Sequence, residues 1–292
     1  MVRVKHLNKY YGDFQALKDI NINLEPGKIT GIIGKNGAGK STLFHALLNF
    51  VKYDGEIEWS DGGKINYENV GYLPEERSLI QNIKVYDQIA YIATLKGINR
   101  HELKTMIPEW MDKLKIKGKP SDKVKKLSKG NQQKIQFIMT LMHSPKYIIL
   151  DEPFSGLDPL NVSLMQDIIL EEKRRGATII FSDHNMNNVS KLCDDLIMVN
   201  SGEVVLDGSI KDVRNSFGAT NVFLEGDFDK SELEALPGVT AVSQNEESYK
   251  LVLEDESYGQ AVFDAVTHGK YIKRFSQEPP TLEEIFRMKA EG

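Results

Sequence analysis

The segment Gly34-Lys35-Asn36-Gly37-Ala38-Gly39-Lys40-Ser41 does most to limit what this chain can fold into. It follows the pattern of Gly, four residues, then Gly-Lys-Ser/Thr, which wraps backbone N–H groups around phosphate oxygens. Glycines let the backbone curl so that successive amides face one anion, and a helix starting there adds its positive end. Such a loop needs a buried strand before it and a helix after it. Ile29–Ile33 is a β-branched run suited to that strand, and the stretch from Lys40 to about Asn49 reads as the helix. In this setting Lys40 reaches the β- and γ-phosphates of ATP and Ser41 gives its hydroxyl to Mg²⁺. Gly34, Lys35, Asn36, Gly37, Ala38, Gly39 and Thr42 complete the candidate phosphate-binding set. A glycine-rich turn with a chance lysine is the bland alternative, and it requires neither flank.

A second element strengthens the first. Ile148-Ile149-Leu150-Asp151-Glu152 is a strand-length apolar run ending in two carboxylates. Open α/β sheets bind ligands at the carboxyl ends of their strands. Asp151 is there to hold Mg²⁺, directly or through water, and Glu152 to orient and deprotonate an attacking water. Alone, the run is equally a capped strand; beside a phosphate loop it is a hydrolytic pair.

Between them, Leu127-Ser128-Lys129-Gly130-Asn131-Gln132-Gln133 resembles the Leu-Ser-Gly-Gly-Gln signature of the ATP-binding-cassette (ABC) family. Ser128 and Gly130 match; Lys129 and Asn131 depart from it. A helix is expected from Gln132, and the Ser128 hydroxyl and Gly130 amide either cap a γ-phosphate there or are a plain helix N-cap. The resemblance extends in order along residues 1–215. Ser155-Gly156-Leu157-Asp158 falls at the family's D-loop, and His184 at its switch histidine. Tyr11, in Lys9-Tyr10-Tyr11-Gly12, falls at the aromatic that stacks on adenine. Tyr10 competes for that role, and Tyr11 is preferred because Gly12 follows it directly. Glu75, after Val70-Gly71-Tyr72-Leu73-Pro74, stands where the family usually has Gln. A carboxylate ligates Mg²⁺ as an amide carbonyl does, but donates no hydrogen bond when ionised. The resemblance implies Ser41, Asp151 and Glu75 as metal ligands, and Glu152, His184 and Lys40 as catalytic groups. It implies Ser128, Gly130 and Asp158 as contacts to the ATP of a second subunit.

The rest of the chain fits that frame. Apolar residues at helical spacing, Val85, Ile89 and Ile92, then Leu103, Ile107 and Met111, predict a helical subdomain over about 76–143. Val2–Leu7 and Ile20–Leu24 alternate as half-buried strands. Strands and helices alternate from Tyr147 to Leu206, so the expected class is α/β: a P-loop core with a helical and an antiparallel β subdomain. Beyond about residue 216 the pattern predicts a small C-terminal α+β domain, 216–292. Its last helix is marked by Thr281 and Glu284 as a capping box after Pro279-Pro280. This segment looks, more loosely, like the extension on ATPase subunits of bacterial ABC exporters. We expect it to serve dimer contact or regulation.

Composition narrows the partners. Charged residues are 27%, with 37 Lys and Arg against 42 Asp and Glu, so the net charge is −5. That balance argues against a chain that grips nucleic acid through its overall field. Cys193 is the only cysteine, so no internal disulfide and no Cys-based zinc site is expected. No apolar run reaches the ~18 residues of a membrane span, so a role at a membrane requires another chain to supply it. The lysine run from Lys113 to Lys129 reads first as a solvated face and second as a headgroup- or partner-facing one. Cys193 reads as a core thiol, Trp59 and Trp110 as packing residues, and His101, His143 and His268 carry no partner pattern.

The reading is an ATP-hydrolysing subunit, cytoplasmic and peripheral to the inner face of the membrane. It would work with a separate transmembrane permease and a second ATPase subunit, identical or not, with export favoured. One rival is a soluble ABC ATPase acting on ribosomes or nucleic acid. Members of that kind carry two cassettes, long coiled coils or Cys clusters, none of which this chain has. The other rival is a module that senses ATP without hydrolysing it, against which Glu152 and His184 argue.

Overall fold

The computed structural model describes residues 1–246, 248–268 and 271–291. The chain divides into two compact units, one from Met1 to Asp207 and one from Gly208 onward. The first unit begins with strands β1 (Val2–Tyr11), β2 (Phe14–Leu24) and β3 (Ile29–Ile33), helix α1 (Lys40–Leu47), and strands β4 (Asp54–Trp59) and β5 (Val70–Leu73). Helices α2 (Val85–Leu95), α3 (Leu103–Lys113) and α4 (Lys129–Leu141) follow. Then come β6 (Tyr147–Asp151), α5 (Pro159–Arg174), β7 (Thr178–Ser182), α6 (Met186–Leu192), β8 (Asp195–Asn200) and β9 (Glu203–Ser209).

Two sheets organise this unit. β2-β1-β4 is antiparallel, with a tight turn at Gly12-Asp13 that pairs Tyr11 with Phe14. The six-stranded sheet runs β5-β6-β7-β3-β8-β9, and its pairs from β5 to β8 are parallel. Strands β3, β6 and β7 are buried at every position. Their runs are continuously apolar rather than alternating because helices cover both faces of a parallel sheet. Val4, Leu7 and Trp59 of the antiparallel sheet share a core with Leu43 and Phe44 of α1 and with Ile149 of β6. Trp59 packs its ring edge-on to Tyr147 at 4.6 Å, so the expectation that it is a packing residue holds. The Cys193 sulfur lies against Gly31 of the central strand, where an added Cβ would meet it at 3.0 Å; burial pushes its thiol pKa up.

The expected α/β architecture, with a helical and an antiparallel subdomain, is present. Helix α4 differs from expectation by starting at Lys129, where a start at Gln132 was expected. Ser128 is its N-cap, and its hydroxyl accepts from the Asn131 amide at 3.3 Å.

The second unit holds α7 (Ile210–Asn215), β10 (Asn221–Glu225), α8 (Lys230–Glu234), β11 (Val239–Asn245), β12 (Ser248–Leu253), α9 (Gly259–Thr267), β13 (Arg274–Glu278) and α10 (Leu282–Glu291). Its sheet order is β11-β12-β10-β13, antiparallel throughout. This is a β-α-β-β-α-β arrangement of the ferredoxin-like kind. Val222, Leu224, Leu251 and Val262 form its own core. The capping box forms as expected: Glu284 accepts from the Thr281 amide at 2.8 Å, and Thr281 Oγ1 accepts from the Glu284 amide at 3.3 Å.

Candidate active site

The carboxyl ends of β3, β6 and β7 converge on one place. β3 delivers the glycine loop, and Gly34 is required there by close approach. A Cβ on it would fall 2.3 Å from the Val199 carbonyl oxygen. Gly39 is required by conformation, with φ of +111°, in the left-handed half of the map. It also ends the loop as the N-cap of α1 without a side-chain cap, and no acidic residue stands in the first turn. The first amides of α1 therefore lack intrahelical acceptors and keep their partial positive charge for an anion. Lys40, 8% exposed, folds back so that its Nζ donates to the carbonyls of Gly34 at 2.8 Å and Lys35 at 3.2 Å. Burial lowers its pKa, against the opposing pull of the Glu152, Asp151 and Glu75 carboxylates.

Asp151 ends β6 and is 3% exposed. Ser182, at the end of β7, donates its hydroxyl to Asp151 Oδ1 at 2.6 Å. The Glu152 amide donates to both the carbonyl and the hydroxyl of Ser182, each at 3.2 Å. Glu152 sits at φ +49°. That region costs a non-glycine residue roughly 1–2 kcal/mol, a strain that concentrates at functional sites. The bend turns the side chain to His184, whose Nε2 is 2.5 Å from Glu152 Oε1. Burial raises the Glu152 pKa; the Glu75 and Asp151 charges add to that rise, while His184 and Lys40 oppose it.

A cavity of about 380 Å³ joins these parts, lined by Tyr11, Asn36, Gly37, Gly39, Lys40, Ser41, Thr42, Glu75, Glu152 and His184 together with Phe14 and Ala16. Its size lies within the ~300–1,000 Å³ range of small-molecule sites. Gly34, Lys35, Ala38 and Asp151 are not on its wall. Gly34 packs against β8, Lys35 presents its carbonyl to Lys40, Ala38 is buried, and Asp151 lies beneath the surface. Tyr11 lines the cavity and Tyr10 does not. Lys9 Nζ stands 4.4 Å from the centre of the Tyr11 ring.

Phe14 was absent from the sequence reading. Its signal was there to be found, since a large aromatic two residues past Gly12 pairs with Tyr11 across the turn and remains 65% exposed. Ser182 was missed as well, because a serine ending an apolar strand has no spacing that marks it. Among the described residues, no three acidic, histidine or cysteine groups stand close enough to hold a metal unaided. The oxygen donors of Ser41, Glu75 and Asp151 suit a Mg²⁺ that draws its remaining ligands from water and substrate phosphates.

Ser128, Gly130 and Asp158 are elsewhere. They line a separate cavity of about 280 Å³ with Lys115, Lys117 and Lys134. Ser128 caps α4, and Asp158 caps α5 by accepting from the Asn161 amide at 3.0 Å. Lys115 and Lys117, near the start of the lysine run, thus face this second cavity, while Lys113 pairs with Glu171 at 2.5 Å. His143, set aside from the sequence, is held between Val70 and its surroundings. Burial lowers its pKa to about 4, and Nε2 lies 3.2 Å from the Val70 carbonyl. Among the described residues no helix is long and apolar enough to cross a membrane.

Comparison with known proteins agrees with this geometry. Residues 17–155 match the ABC transporter family, and residues 208–290 match the C-terminal domain of DrrA1-3-like ATP-binding proteins. The chain is 38% identical to the uncharacterised ABC transporter ATP-binding protein YhaQ of Bacillus subtilis (strain 168), over 98% of this chain and 97% of that protein. It is 33% identical to the lantibiotic transport ATP-binding protein SrtF of Streptococcus pyogenes, over 71% of this chain and 90% of that one. Among solved structures, the ATP-binding subunit of an ABC transporter superposes with a TM-score of 0.69 at 27% identity, covering 74% of this chain and 93% of that one. With the phosphate loop, the paired carboxylates and these relatives in agreement, the chain belongs to the family of ABC transporter ATP-binding proteins.

Proposed function

We propose that this chain binds and hydrolyses ATP as one of two subunits that close head to tail, and that closure drives a separate membrane permease. The observation that carries the reading is the division of the site. The phosphate loop, Glu75, Glu152 and His184 line one cavity, while Ser128, Gly130 and Asp158 line another. One chain therefore holds two complementary halves, and a second subunit, identical or related, would complete each.

In this reading the adenine rests on Tyr11, with Phe14 beside it. The amides from Asn36 to Thr42 hold the phosphates. Lys40 leaves its loop carbonyls for the β- and γ-phosphates, where its charge offsets charge developing in the transition state. Ser41, Asp151 and Glu75 would hold Mg²⁺, which would neutralise phosphate charge. Glu152 takes the proton of the attacking water. Its raised pKa makes it a stronger base than an ordinary carboxylate. His184 orients that carboxylate through the 2.5 Å contact and faces the γ-phosphate. Ser182 holds the Asp151 carboxylate with its hydroxyl and anchors the backbone of Glu152 by accepting from its amide. ATP binding drives closure only as far as the closed pair binds it better than the open one.

Export is the favoured direction, on the looser resemblance of the C-terminal segment to the extension of bacterial ABC exporter subunits; the relative named for lantibiotic transport supports a role in transport. The test is to purify the tagged chain from its host in mild detergent and identify what accompanies it. A stoichiometric polytopic membrane protein supports the reading and hands over the subunit that contacts cargo. Recovery of ribosomal proteins or nucleic acid alone, under conditions that preserve a control transporter, overturns it in favour of a soluble ABC ATPase.

A further inference from the structure

Helix α4 carries a row of buried polar side chains that reach backbone carbonyls of the site's loops and strands. Gln133 is 1% exposed and Gln136 is 2% exposed. Gln133 Nε2 donates to the Pro153 carbonyl at 3.0 Å, next to Glu152. One turn on, Gln136 Nε2 lies 3.4 Å from the carbonyl of Pro74 and 3.4 Å from that of Glu76. It therefore brackets Glu75 from both sides. Thr140, a further turn along, has its hydroxyl 3.0 Å from the Gln136 carbonyl and 3.3 Å from the Tyr72 carbonyl on the strand that leads into the same loop. These residues recur at three- and four-residue steps, so they share one face of the helix. The helix is capped by Ser128, which lines the second cavity.

Gln136 also bears a cost. Its Oε1 is buried with no hydrogen-bond partner among the described residues. An unmatched buried acceptor is destabilising. A methionine would fill the same space without the unmatched acceptor. What methionine lacks is the forked donor that reaches two carbonyls either side of Glu75.

We propose that Gln136 is a positioning residue that sets the loop carrying Glu75, so that the Glu75 carboxylate meets the Mg²⁺ of the bound nucleotide. The inference rests on the assignment of Glu75 as a metal ligand made above. Groups that orient a ligating carboxylate typically contribute about 10–100-fold to metal affinity or activity. The long 3.4 Å contacts place Gln136 at the lower end of that range, so about tenfold is expected.

The test uses Gln136→Met in the full chain, with Gln136→Glu as a second variant that keeps length but loses the donor when ionised. Three quantities are measured: the melting temperature without nucleotide, the Mg²⁺ concentration giving half-maximal ATPase rate, and the Mg²⁺-dependent rise in melting temperature at saturating ATP. The third is read in a Glu152→Gln background, where ATP persists. Gln136→Met should melt no lower than wild type, need about tenfold more Mg²⁺ for half activation, and show a smaller Mg²⁺-dependent rise. In a Glu75→Ala background it should change neither Mg²⁺ readout further, because coupled residues are non-additive. A Mg²⁺ requirement that stays at the wild-type value in both Gln136 variants, or shifts equally with Glu75 absent, overturns the proposal. If Glu75→Ala itself leaves the Mg²⁺ requirement unchanged, the ligand assignment of Glu75 falls first and takes the role of Gln136 with it.

Discussion

Ser182 offers the sharpest check on how the carboxylates are held. Its side chain is fully buried, and its hydroxyl donates to Asp151 Oδ1 at 2.6 Å while accepting from the Glu152 amide at 3.2 Å. Ser182→Ala removes both contacts and adds no bulk. The Glu152 amide keeps a second acceptor, the Ser182 carbonyl, also at 3.2 Å. The loss is therefore dominated by one charge-assisted bond to a carboxylate that is 3% exposed. Such bonds contribute about 1.5–3 kcal/mol. For a unit of this size 1 kcal/mol shifts the melting temperature by about 2–4 °C, so a fall of roughly 3–12 °C is expected by circular dichroism. The freed Asp151 and the loosened bend at Glu152 should also lower ATP turnover by about tenfold, a misplacement effect. A variant that melts within 1 °C of wild type and turns over at the wild-type rate would falsify the view that Ser182 holds the catalytic pair.

Other perturbations test the remaining groups. Glu152→Gln should cost about 10²–10⁴ in turnover, or roughly 2.7–5.4 kcal/mol of barrier, with ATP affinity retained; turnover within a few-fold of wild type would remove Glu152 from the role of base. Because burial raises the Glu152 pKa, the acid limb of the rate profile should lie above the usual carboxylate range and vanish in that variant. The sign for stability is opposite to that of a paired carboxylate. Stability is lost as pH rises through the raised folded-state value, so Glu152→Gln should melt no lower than wild type at neutral pH. Its advantage should fade toward the unfolded-state value of about 4.3. Lys40→Ala should weaken nucleotide binding itself, and an unchanged ATP affinity by calorimetry would contradict the phosphate-loop assignment.

How much of this was legible in the sequence follows from which features have a local cause. The phosphate loop and the run Ile148 to Asp151 were readable because close approach, strand burial and charge placement each leave a fixed residue type. The start of α4 was not, since Gly130 and Asn131 are weak helix formers and hid a helix that Ser128 caps. Strand β13, Arg274–Glu278, also escaped. It lies at the edge of its sheet and is at most half-buried, so its sequence carries no alternation to read. Phe14 and Ser182 act through contacts to Tyr11 and Asp151 that only the assembled sheets create. Gln136 is the extreme case. In sequence it is one polar residue on an amphipathic helix, and its meaning comes from the Pro74 and Glu76 carbonyls 60 or more positions away.

The central claim is that two copies of this site complete each other around ATP. The most direct measurement is the mass in solution of the Glu152→Gln chain by light scattering, with and without ATP and Mg²⁺. The account predicts a monomer without nucleotide and a dimer with it, and predicts that Ser128→Arg, which fills the second cavity, abolishes the dimer while leaving ATP binding to the single chain intact. A chain that binds ATP at saturation yet stays monomeric, both alone and with its membrane partner, or that dimerises equally well with Ser128→Arg, would contradict it.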